Sequence, residues 1–212
     1  MSDVVMLKSV GKSFGKNQIF FGASFNVARG TPTVLMGSNG CGKSTLLKII
    51  VGDIPHSEGE VVRDKIEKIS YMPDRFAKLP FTVEEYLQYM GQMRGMTRAE
   101  ITRYVNQQFV YFDIPQNILK QKILNCSKGT IQKVNIMQAF LQKSDLLVMD
   151  EPFSGLDEKS VDALLLLIKR TIHEGVAVVL SCHESALAKE IGGNLYVFSN
   201  QEVVRGVHET AD

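Results

Sequence analysis

The chain has 212 residues, 44% of them hydrophobic, and a net charge of +1. That length suits one sizeable α/β domain with a real core, and the near-neutral balance excludes a general electrostatic case for nucleic acid or an anionic membrane surface. Cys41, Cys126 and Cys182 are widely spaced and lack CxxC spacing, which excludes a disulfide framework or a structural zinc site and points to a reducing cytosol.

In chain order, Met1-Ser2-Asp3 carries no basic region followed by an apolar block, so no secretion signal is expected. Residues 4–30 alternate apolar stretches with Gly11, Gly15 and Gly22, which predicts short antiparallel strands. Four apolar runs then predict a parallel sheet: Thr33–Met36, Ile69–Met72, Leu146–Met149 and Val176–Leu180. Between the second and third, from about Phe76 to Cys126, the chain predicts a mostly helical insertion. Within it a helix is expected to start at Thr82, three residues ahead of Glu85 as in a capping box. Leu164–Ile168 is too short to span a bilayer and sits between charged residues, so it reads as part of a core helix. The end, Asn194–Phe198 and Glu202–Val204 around Ser199-Asn200-Gln201, predicts a hairpin.

Each parallel run ends in groups with chemical potential. The first ends in Gly37-Ser38-Asn39-Gly40-Cys41-Gly42-Lys43-Ser44-Thr45, which reads G-x-x-x-x-G-K-[ST] between a predicted strand and a predicted helix. Glycines let successive N–H groups turn toward one anion, and the helix N-terminus adds its positive end. Lys43 reaches phosphates and the Ser44 hydroxyl suits Mg²⁺. The second run ends in Pro73-Asp74, the third in Asp150-Glu151 and the fourth in Ser181-Cys182-His183. Asp150 suits a hard cation, and Glu151 suits a general base that polarises water. Ligands in open α/β sheets collect at the carboxyl ends of strands, so these ends are expected to meet at one site. Ser127 stands at the start of a helix carrying Val134, Ile136 and Met137. A plain N-cap would explain it, and a Ser-x-Gly turn there also suits a γ-phosphate.

The ordered set of phosphate loop, Ser127-Lys128-Gly129-Thr130, Asp150-Glu151, Ser154-Gly155-Leu156-Asp157 and His183 resembles the ATP-binding-cassette (ABC) ATPases, over about Val4 to Val207. The resemblance implies a P-loop α/β fold with a mostly parallel sheet, an antiparallel β subdomain and a helical insertion at 76–126, within one ATP-binding domain of residues 1–212. It implies an ATPase with ATP and Mg²⁺ as ligands. Phe14 matches the aromatic that stacks on adenine, and Gly37, Ser38, Asn39, Gly40, Cys41, Gly42, Lys43, Ser44 and Thr45 match the Walker A loop. Ser127, Lys128 and Gly129 match the signature motif, which binds the ATP held by the other subunit of a dimer. Asp150 and Glu151 match Walker B and the catalytic carboxylate. Asp157 matches the aspartate at the dimer seam, and His183 the switch histidine.

Two departures stand out. The signature reads Cys126-Ser127-Lys128-Gly129-Thr130 in place of Leu-Ser-Gly-Gly-Gln, and Asp74 replaces the usual metal-coordinating Gln. Both lean toward an ABC-2-type exporter. The implied protein is the ATP-binding subunit of such a transporter, on the cytoplasmic face of a membrane. It would pair with a second nucleotide-binding subunit and a separately encoded transmembrane permease, with no nucleic acid. A docking surface is expected near Asp74, Phe76, Leu79, Pro80 and Phe81. The alternatives are a non-transport ABC ATPase and a low-turnover nucleotide-binding regulatory subunit.

Overall fold

The computed structural model describes residues 2–207. Met1 of the N-terminal reading and the last five positions of the 1–212 domain lie outside the described residues. The chain divides into two units: Met1–Tyr71 with Ser144–Pro152 and Leu167–Asp212, and Met72–Lys143 with Phe153–Leu166.

Among the described residues there are nine strands, all in the first unit except for Met72 at the end of the fifth: β1 (Asp3–Phe14), β2 (Asn17–Ala28), β3 (Thr33–Met36), β4 (Glu58–Arg63), β5 (Ile69–Met72), β6 (Leu146–Met149), β7 (Ala177–Ser181), β8 (Asn194–Ser199) and β9 (Glu202–Arg205). They form one sheet in the order β4-β1-β2-β9-β8-β3-β7-β6-β5. β3 runs parallel to β7 and β8, and β6 runs parallel to β7. β1 pairs antiparallel with β2 and β4, so the sheet is mixed, with a parallel centre and an antiparallel flank. This is the α/β P-loop architecture that the motifs imply.

The parallel centre follows from composition. β6 and β7 are buried at every residue, and such strands read as unbroken apolar runs. α1 (Lys43–Val51) buries Leu46, Leu47, Ile49 and Ile50 in the same core as Leu35, Leu146, Val148 and Val179. α6 (Ser185–Ile191) follows β7. The β8–β9 turn places Asn200 and Gln201 at φ 50° and 66°, the geometry of a two-residue hairpin turn.

The antiparallel flank differs from the expected short strands. β1 and β2 are twelve residues each, and only Gly15 sits in the turn between them. Gly11 lies inside β1, at a register shift, where a Cβ would stand 2.4 Å from Glu58 Oε1 of β4. There glycine permits close approach of a neighbour without breaking the strand.

The second unit is helical: α2 (Val83–Met93), α3 (Arg98–Tyr111), two 3₁₀ turns (Gln116–Lys120 and Ile123–Asn125) and α4 (Lys128–Ala139). Thr82 and Glu85 form the expected capping box, and Thr97 with Glu100 forms a second at the start of α3. The Arg94 guanidinium binds the Gln138 carbonyl, and Tyr104 Oη donates to Met137 O at 2.8 Å, which ties α2 and α3 to α4. α5 (Glu158–His173) draws on residues of both units and buries Leu164, Leu165 and Ile168, while Leu166 on its other face is exposed. Among the described residues no helix is long and apolar enough to cross a membrane.

Candidate functional site

β3 delivers the chain into the loop Gly37–Gly42, where Gly37, Gly40 and Gly42 take φ values of 153°, 79° and 114°. α1 starts at Lys43 on Gly42, with no side-chain cap and no acidic residue in its first turn. By contrast, α2, α3 and α4 are capped by Thr82, Thr97 and Ser127. A helix start without a side-chain cap leaves its first N–H groups to an anion. Asn39, Gly40 and Ser44 are exposed, and Thr45 behind them is half-buried. A phosphate chain fits this cradle.

Lys43 is only 5% exposed. Its ammonium donates to the carbonyls of Gly37 at 2.8 Å and Ser38 at 3.2 Å. It also lies 3.3 Å from Glu151 Oε1. Two carbonyl acceptors and a facing carboxylate are what allow the charge to be buried. Glu151 reaches the pair from the end of β6, at φ 47°, in the left-handed region that costs a non-glycine residue about 1–2 kcal/mol. Its other oxygen, Oε2, lies 2.8 Å from His183 Nδ1, just beyond β7. Glu151 therefore stands between the lysine and an exposed histidine.

Asp150, 2% exposed, accepts from the Ser181 hydroxyl at 2.7 Å, and the same hydroxyl accepts from Glu151 N–H at 2.8 Å. Ser181 thus holds both carboxylate-bearing residues from the neighbouring strand. The sequence reading noted Ser181 without giving it this part, although a hydroxyl ending an otherwise apolar buried strand was the available signal. Among the described residues no group of three or more His, Cys, Asp or Glu could by itself hold a metal. Ser44, exposed at the start of α1, and Asp150, beyond the end of β6, each carry oxygen of the kind that Mg²⁺ takes.

Three of the four strand ends thus meet in the first unit, through Lys43, Glu151 and His183. Phe14, at the end of β1, is 54% exposed. Cys182 is buried, and burial pushes its thiol up to about 11, which makes it a passive packing group.

The second unit holds the other predicted residues. Asp74 is exposed after β5, and the preceding Pro73 carbonyl accepts from Asn135 Nδ2 at 2.7 Å. Ser127 caps α4, accepting from Thr130 N–H at 3.1 Å. Lys128 Nζ lies 3.3 Å from Ser154 Oγ, and a Cβ on Gly129 would stand 3.0 Å from the Gly155 carbonyl oxygen. Lys133 Nζ donates to Phe112 O at 3.0 Å and lies 3.1 Å from Asp157 Oδ2. Asp157 Oδ1 accepts from the Ser160 amide and hydroxyl. These hydrogen bonds, then Lys133, hold the Asp157 carboxyl down at about 2.

The family model described as ABC transporter matches residues 20–154. The chain is 31% identical over 192 residues to the linearmycin resistance ATP-binding protein LnrL of Bacillus subtilis, covering 85% of this chain and 61% of that protein. It is 33% identical over 185 residues to the zinc import ATP-binding protein ZnuC of Wigglesworthia glossinidia brevipalpis, covering 86% and 74%. A solved structure described as the ATP-binding subunit of an ABC transporter superposes with a TM-score of 0.86 at 27% identity, covering 96% of this chain and 89% of that one. The chain belongs to the ABC transporter family, on its ATP-binding side.

Proposed function

We propose that this chain binds and hydrolyses MgATP as the energising subunit of an ABC transporter. The observation that carries the reading is the Lys43–Glu151–His183 cluster, gathered from three strand ends beside a helix start that no side chain caps. In this reading the loop amides of Gly37–Gly42, the first turn of α1 (Ser44, Thr45) and Lys43 bind the triphosphate. Ser44, Asp150 and Asp74 hold Mg²⁺, which when bound neutralises phosphate charge. Glu151 accepts a proton from the attacking water, and His183 contacts the terminal phosphate and orients Glu151. Phe14 stacks on adenine. The domain is residues 1–212 with its helical insertion at 76–126.

Ser127, Lys128 and Gly129 of one copy contact the ATP held by a second copy or a similar chain, so that ATP closes the dimer and hydrolysis reopens it. A separately encoded permease docks beside Asp74, Phe76, Leu79, Pro80 and Phe81. The 51% exposure of Phe81 supports that surface. Export of an ABC-2 type is favoured by Lys128 and Asp74. Of the two relatives above, one is named for linearmycin resistance and the other for zinc import. The deciding experiment compares phosphate release by the purified chain with that of Glu151→Gln. Activity in the first and its loss in the second are expected, and equal turnover in both removes Glu151 from the catalytic role.

A further inference from the structure

Lys12 is a charged residue in an unexpected place. It lies inside β1 and is 7% exposed. Its ammonium donates to the Pro55 carbonyl at 2.7 Å and sits over the Phe14 ring, 4.7 Å from the centroid. An ammonium at that distance is attracted by the ring's negative face, and the more so when water is excluded from one side of it. The rest of the β1 end is fastened to the same segment. Ser57 N–H donates to Gly11 O at 2.9 Å, and Ser13 N–H donates to Ser57 Oγ at 3.0 Å.

Two features connect this corner to the phosphate loop. Lys12 is the cross-strand partner of Phe20. Phe20 is fully buried, and its ring abuts Gly42, where a Cβ would stand 3.0 Å from Phe20 Cδ1. The exposed Phe14 ring is therefore carried on the strand pair that backs the loop.

We propose that Lys12 is a positioning residue for nucleotide binding, clamping one face of Phe14 so that the ring is held as a preset platform for the base. The inference rests on the reading of Phe14 as the base-stacking residue. An exposed phenylalanine otherwise samples several rotamers, and a base binding to it must first freeze the ring. The Lys12 ammonium, itself anchored on Pro55 O, removes that cost before binding. Its positive charge behind the ring also favours an electron-rich purine on the opposite face.

The test uses the whole chain, with Lys12→Met, Lys12→Arg and Phe14→Ala. Equilibrium binding of MgATP and of magnesium tripolyphosphate, which has no base, is measured by calorimetry. Lys12→Met is expected to weaken MgATP about three- to tenfold while leaving tripolyphosphate within about twofold, and Lys12→Arg to restore the ratio. Equal weakening of both ligands, or no weakening of MgATP, overturns the role of Lys12. Phe14→Ala separates the two layers. If it fails to lower the preference for MgATP over tripolyphosphate, the stacking reading itself falls and the inference with it. If it lowers that preference and Lys12→Met does not, only the inference falls.

Discussion

Lys43 Nζ and Glu151 Oε1 lie 3.3 Å apart, so the lysine assigned to the phosphates and the carboxylate assigned to the water hold one another. Both side chains are largely buried, and each compensates the other's charge. On the function proposed above, a triphosphate entering the cradle would compete with Glu151 for the ammonium.

Glu151→Gln keeps the shape of that group and removes its charge and basicity. MgATP binding is expected to persist, because the loop and Lys43 remain. Turnover is expected to fall at least about tenfold, the low end of general-base contributions, and an ATP-bound dimer is expected to accumulate. Phosphate release and size-exclusion chromatography with MgATP check both.

Lys43→Ala removes a charge-assisted contact to phosphate worth about 2 kcal/mol or more, so the MgATP dissociation constant is expected to rise at least about thirtyfold. The same change leaves the Glu151 carboxylate buried without its ammonium. Lys43→Ala is therefore expected to lower resistance to urea, and adding Glu151→Gln to recover part of it. Strict additivity of the two single changes would show that the carboxylate is not held by the lysine in solution.

The buried strands of this site were legible because parallel strands covered on both faces must be continuously apolar, as Leu146–Met149 is. The phosphate loop was legible because it needs glycine where φ is positive. β4 escaped notice because its residues, Glu58–Arg63, are largely exposed and follow no apolar alternation. Gly11 and Gly22 lie inside strands, which the sequence hides because a glycine that admits a close neighbour, as Gly11 does, or that takes a left-handed φ within a strand, as Gly22 does at 72°, looks in sequence like one that turns the chain. The Lys43–Glu151–His183 contacts depend on the order β3-β7-β6, which no local pattern encodes. The Thr97–Glu100 box carried the same signal as Thr82–Glu85 and simply went unread.

Asp157 makes stability depend on pH. Its carboxyl is lowered from 3.8 to about 2 in the folded chain. A depressed folded value means that the unfolded chain binds the proton more tightly, so this contribution is complete above about pH 4 and is lost as pH falls toward 2. Asp157→Asn is expected to flatten the urea-stability profile between about pH 4 and pH 2. Asp157→Ala, which also removes the acceptor for Ser160 N–H ahead of α5, is expected to cost about 1 kcal/mol at neutral pH. An Asn variant with an unchanged pH slope would remove Asp157 as its source.

Gly42 and Gly40 both take positive φ, 114° and 79°, but only one is crowded. A Cβ on Gly42 would lie 3.0 Å from Ile19 Cγ2 and from Phe20 Cδ1, whereas one on Gly40 would meet nothing within 4 Å. Phe20 cannot retreat easily, since its ring packs edge-on against Phe198 at 5.7 Å. Gly40→Ala should thus carry only the left-handed cost of about 1–2 kcal/mol. Gly42→Ala must in addition displace the loop whose carbonyls hold Lys43. Its MgATP affinity is expected to fall at least about tenfold further than that of Gly40→Ala, by calorimetry, with secondary structure retained in both by circular dichroism. Equal losses in the two variants would mean that backbone conformation alone, and not the packing of Phe20 on the loop, sets the phosphate cradle.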